Sequence, residues 1–100
     1  GMRDYIYILH LVPKFQDKAN WGEKENKITE DHFARLERQK KRGTVKYVGK
    51  TDLPLTNKGN FGLVVFEAEN DTVAELFMQS DPAVMNKMMT AECFPFKHVF

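Results

Sequence analysis

The sequence predicts an α+β fold in which two helices cover one face of a four-stranded antiparallel sheet, and three observations lead there. Short runs rich in β-branched and aromatic residues recur four times, which marks strands. Segments with helical apolar spacing separate the first run from the second and the third from the fourth. The order β-α-β-β-α-β then places both helices on one side of the sheet.

The first strand is expected over residues 4–11, DYIYILHL, ahead of Pro13. The polar stretch over 12–28 reads as a long loop, of a kind that often serves as a lid or binding loop. Helical character is expected from Thr29 as N-cap, with Glu30 and Asp31 in the first turn and Lys40, Lys41 and Arg42 before a terminating Gly43. Its apolar side is expected to hold Ile28, Phe33 and Leu36. Residues 44–50, TVKYVGK, make the second strand. A turn-rich segment with Pro54, Asn57 and Gly59 leads to the third, NFGLVVFEA, over 60–68. The second helix is expected over 70–79, capped by Asn70 or Asp71, with Val73, Leu76 and Phe77 on one side. In QSDPAV, residues 79–84, Asp81 suits the N-cap of a short helix and Pro82 its first turn. A last strand is expected over 91–100, AECFPFKHVF. The 100 residues fit one domain, 1–100, and Gly1 ahead of Met2 reads as an expression scar.

This is the ferredoxin-like arrangement, and it leaves one sheet face without helices. Both faces are nevertheless apolar. The first strand sets Tyr5, Tyr7, Leu9 and Leu11 against Ile6 and Ile8, and the third sets Phe61, Leu63 and Val65 against Val64, Phe66 and Ala68. An uncovered apolar sheet face is rare in monomers, so a homodimer packed sheet against sheet is expected. A competing use of the same surface is RNA binding. IYILHL and FGLVVF resemble the two signatures of RNA-recognition motifs, whose strand aromatics stack bases. However, Gly59, Asn60 and Leu63 stand where the second signature wants a basic residue, a glycine and an aromatic. Tyr7 and Phe61 are also ordinary strand residues.

Composition narrows the classes. A formal charge of +1 gives no broad basic field, so no nucleic-acid partner is expected. No apolar run approaches the roughly 20 residues of a membrane span, and no signal-peptide pattern precedes the first strand. Together with a single cysteine, Cys93, this points to the cytoplasm. Cys93 has neither a basic neighbour in sequence nor a second cysteine, so it reads as core. His10, His32 and His98 lack metal-ligand spacing, and no metal or cofactor is expected.

The groups that could do chemistry are His32 and Asp81. With the helix starting at Thr29, His32 falls in its first turn, where the dipole disfavours the imidazolium and keeps a neutral base. Asp81 follows the second helix on the same face of the sheet. A carboxylate on the far ring nitrogen would fix the tautomer and stabilise the cation formed on proton abstraction.

His32, Leu36, Gly43 and Gly49, then a strand, Asp81-Pro82 with Val84, and the closing PFKHVF resemble the YCII-related (YciI-like) family across almost the whole chain. The resemblance implies a dimeric α/β barrel with an active site made of the histidine and the aspartate of the DP pair, here His32 and Asp81. Three positions differ from the usual family pattern: Thr29 replaces an arginine, Lys50 a proline and Ala83 an aromatic residue. Lys50 can restore some of the lost charge, or stand as a solvated strand end.

Tyr7, Trp21 and Lys50 are the expected substrate contacts, Trp21 either closing over a pocket or pinning the polar loop. Met78, Met85, Met88 and Met89 are read as core filler. The RQKKR run over 38–42 is read as a solvated helix end. A base without nucleophile or metal suits proton abstraction with elimination or isomerisation of a small molecule, a lyase-like activity. The alternative is a non-catalytic small-ligand-binding or structural homodimer in which His32 and Asp81 only hold the fold.

Overall fold

The computed structural model describes residues 1–100. Its strands are β1 (Arg3–Leu11), β2 (Val45–Lys50), β3 (Gly62–Ala68) and β4 (Met89–Pro95), and its helices α1 (Glu23–Arg42), α2 (Asp71–Gln79) and the one-turn α3 (Pro82–Met85). The sheet order is β2-β3-β1-β4, antiparallel throughout. This is the predicted ferredoxin-like α+β architecture, with a short third helix inserted after the second.

Alternation along the strands sorts the side chains. Tyr5, Tyr7 and Leu9 of β1, Val64, Phe66 and Ala68 of β3, and Val45 of β2 turn toward the helices and form the main core. Phe66 packs edge-on against Tyr7 and stacks on Phe77 of α2 at 4.7 Å between ring centroids. On the other face, register pairs Ile6 with Val65 and Phe94, and Ile8 with Leu63. A β-bulge between Val45 and Tyr47 sets Lys46 on this open face as well, where its ammonium meets Asp4 at 2.7 Å and Glu67 at 3.6 Å.

Six local expectations are corrected. The segment 12–28 is not one loop: Pro13–Gln16 and Lys18–Asn20 are 3-10 turns, and α1 begins at Glu23. Gly22, not Thr29, is the N-cap, its N–H donating to the Glu25 carboxylate at 2.9 Å, while Thr29 donates back to the Glu25 carbonyl. The polar run EKENK hid this start because its apolar period begins only at Ile28.

On α1 the buried stripe is Ile28, His32 and Leu36, spaced by four, and Phe33 is exposed. On α2 the buried residues are Ala74 and Met78 with Phe77 beside them, whereas Val73 and Leu76 face solvent. β4 runs from Met89 to Pro95 rather than 91–100, because Leu11 pairs with Met89 and β1 begins at Arg3, leaving the last residues no strand to pair with. Met78 and Met88 are core as expected, but Met85 is exposed. Gly43 ends α1 in the left-handed region, φ 86°, where a side chain would be strained.

Candidate functional site

The site starts from the histidine in that buried stripe. A position spaced by four from Ile28 and Leu36 faces the sheet, so His32 is only 4% exposed. It lies in the middle of a 20-residue helix and not in its first turn, so the positive end of the helix dipole does not act on the ring. What acts on the ring is Asp81. Ser80 ends α2, Pro82 starts α3, and the sharp change of direction between them drives Asp81 inward until it is fully buried.

Asp81 performs both of the roles its sequence position suggested. Its Oδ1 caps α3 by accepting the Ala83 N–H at 2.9 Å. The same oxygen accepts from His32 Nδ1 at 2.6 Å, and Oδ2 accepts the Tyr7 hydroxyl at 2.7 Å. Burial opposes ionisation of the carboxyl. The hydrogen bond and charge of His32, with the Tyr7 and Ala83 donors, outweigh burial and hold its pKa below the ordinary carboxylate value. Tyr7 is pushed far above its ordinary value by burial and by the adjacent carboxylate, so its hydroxyl remains a donor. An ionised Asp81 calls for a proton on Nδ1 and leaves Nε2 as the ring nitrogen without a partner in the protein.

The imidazole lines a cavity of about 480 Å³ between α1, the ends of β1, β2 and β3, and the loop before β3. Its wall is mostly apolar, including Leu9, Leu36, Val48, Leu55 and Phe61, a size and character common for small-molecule sites. Trp21 and Lys50 also line it, so two of the three expected contacts meet the histidine in one place. Trp21 borders the cavity, and its Nε1–H donates to the Phe15 carbonyl at 2.8 Å, which ties it to the preceding turn.

Tyr7 is the exception among the expected substrate contacts. It is fully buried behind Asp81, two residues before the cavity-lining Leu9, and cannot touch a molecule in the cavity. The same orientation removes it from the open sheet face on which a base-stacking residue would have to stand.

Two site residues escaped sequence reasoning. Lys18 borders the cavity with its ammonium 4.0 Å from the centre of the Trp21 ring, and only their spacing by three hinted at this. Arg35, one turn beyond His32, lies over Phe77 and donates to the Phe77 carbonyl at 2.7 Å, tying α1 to α2 beside the acid. Burial and the nearby acids Glu75 and Asp71 push the Cys93 thiol up to about 11, in keeping with its packing against the core. No three His, Cys, Asp or Glu side chains converge as metal ligands.

Fold and site together define a ferredoxin-like domain with a buried histidine–aspartate pair opening on an apolar cavity. The YCII-related domain matches residues 5–97, and the chain belongs to that family. Among solved structures it is similar to 30S ribosomal protein S6 from Thermotoga maritima, at 15% identity with a TM-score of 0.50, over 96% of this chain and 89% of that one. That likeness is one of fold. No curated protein matches the sequence. No helix is long and apolar enough to cross a membrane.

Proposed function

We propose that the protein is a small-molecule enzyme in which His32 abstracts a carbon-bound proton and Asp81 positions and stabilises it. The observation that carries this reading is the 2.6 Å contact between Nδ1 and a buried carboxylate, on a ring whose other nitrogen has no partner in the protein and whose edge lines the cavity. A purely structural histidine in an apolar stripe would need neither an ionised partner nor access to a cavity.

In the proposed step the C–H bond breaks and its proton passes to Nε2. In an elimination the C–H electron pair becomes the new double bond, and the leaving group departs with its own bonding pair. In an isomerisation the proton returns at another carbon. Asp81 stabilises the imidazolium in either case, and the apolar wall keeps water from competing for the proton. Thr29 and Asn60 supply polar groups at the wall that can orient a substrate oxygen.

The test is solvent exchange. Small carbon acids with a carbonyl-activated C–H are incubated with the protein in D2O and followed by proton NMR. Catalysed loss of the C–H signal is the expected result for at least one of them. Binding without exchange or turnover would favour the rival reading, a ligand-binding module built on the same cavity.

We further propose that two chains pair through their open sheet faces, and that the dimer resides in the cytoplasm. Tyr47 and Phe94 are exposed on that face beside Ile8, Leu63 and Val65, a contiguous apolar surface that favours burial. Sedimentation at micromolar concentration is expected to give twice the 11.6 kDa chain mass, and Ile8→Glu to return it to the monomer mass. A wild-type monomer would remove the dimer.

A further inference from the structure

The wall of the cavity carries one sign of charge. Lys18 and Lys50 both border it, and not one of its lining residues is an aspartate or glutamate. Both lysines are exposed, which places their ammonium groups at the opening rather than in the depths. Lys18 leans on the Trp21 ring, and neither Lys18 nor Lys50 has an acidic partner within 4 Å. The carboxylate beside His32, Asp81, is fully buried, has its oxygens occupied by three donors and is not among the residues that line the cavity.

From this arrangement we infer that the ligand is an amphipathic organic carboxylate. Its hydrocarbon or aromatic body fills the space between Leu9, Val48 and Phe61, and its carboxylate stays at the opening with Lys18 and Lys50. This rests on the cavity being the substrate site, and it adds a polarity to that site. The anionic end points outward and the carbon skeleton inward, toward His32. Lysine suits this task as a mobile point charge that accepts a carboxylate without a fixed fork geometry. A ligand with a cationic end would meet two ammonium groups and no acid.

The experiment needs no turnover, so its outcome is separate from that of the exchange test. Trp21 is the only tryptophan and borders the cavity, which makes its fluorescence a direct reporter. The probes are matched pairs with one skeleton and different charge: phenylacetate with phenylacetamide, and hexanoate with hexanamide. Methyl NMR signals of Leu9, Val48 and Met89 provide a second readout that does not depend on quenching.

At low salt each carboxylate is expected to bind roughly tenfold more tightly than its amide, a preference that shrinks as salt screens the lysines. The Lys18→Gln/Lys50→Gln double variant should bind acid and amide equally. Equal binding of acid and amide by the wild type, or binding of neither member of both pairs, would overturn the inference. So would a preference that survives the double lysine variant but disappears in His32→Gln, because the selectivity would then arise from the imidazole.

Discussion

Asp81→Ala is expected to destabilise the protein by about 3–5 kcal/mol, a large part of the roughly 5–15 kcal/mol available to a domain of this size. The substitution strands the Tyr7 hydroxyl, the His32 Nδ1–H and the Ala83 N–H in a buried region without the carboxylate they donate to. Asp81→Asn retains the shape and one good acceptor, so the cap on α3 survives. Its amide nitrogen would face the Tyr7 hydroxyl, however, which could accept from it only by giving up its own acceptor. A loss of about 1–3 kcal/mol is expected, where a residue acting only as a cap would tolerate asparagine almost without effect. Urea unfolding of the two variants beside the wild type checks this.

The pH dependence has a definite sign. Asp81 titrates lower in the folded protein than its ordinary value of 3.8, so its ionised form favours folding. That stabilisation is fully present above 3.8 and is lost as pH falls through the lower folded value. The gap between wild type and Asp81→Asn should therefore be widest near neutrality and narrow toward pH 3. A gap that is constant with pH would mean that the carboxylate charge contributes nothing to the fold.

His32→Gln is expected to slow proton exchange of any responsive carbon acid by about 10²–10⁴-fold, the usual contribution of a positioned general base. Binding of the same compound should change only a few-fold, since glutamine keeps a polar group of similar reach at the cavity wall. Tyr7→Phe provides the comparison. Tyr7 touches Asp81 and not the cavity, so it acts as a positioning residue. Its loss should reduce exchange less than that of His32 and leave KM near the wild-type value. If His32→Gln exchanged as fast as the wild type, another group would have to be the base.

The surface and the core differ in how easily their roles could be inferred. β1, β2, β3 and α2 fall within two residues of their expected bounds, because each is marked by local chemistry: β-branched runs, Asn70 as a cap, Gly43 and Pro82 as punctuation. The first turns of α1 were missed because Gly22 caps through its backbone and EKENK offers no apolar period to count. The inward faces were only partly legible. Periodicity identifies a stripe, but two neighbouring stripes on α1, one through Phe33 and one through His32, fit the same sequence. Choosing a polar residue over a phenylalanine for burial requires knowledge of the acid waiting for it.

The sequence by itself determined the order of the strands and main helices and the fold class, since these depend on residue types and spacings along the chain, and its resemblance to the family singled out His32 and Asp81 as a candidate pair. Only the tertiary structure decided that these two side chains touch, 49 positions apart. It also decided that Tyr7 backs the acid instead of meeting a ligand, and that Lys18, Trp21 and Lys50 share one cavity with His32. The physical reason is that a buried carboxylate is tolerable only where several donors converge on it, and that convergence is produced by packing α1, the α2–α3 corner and β1 together.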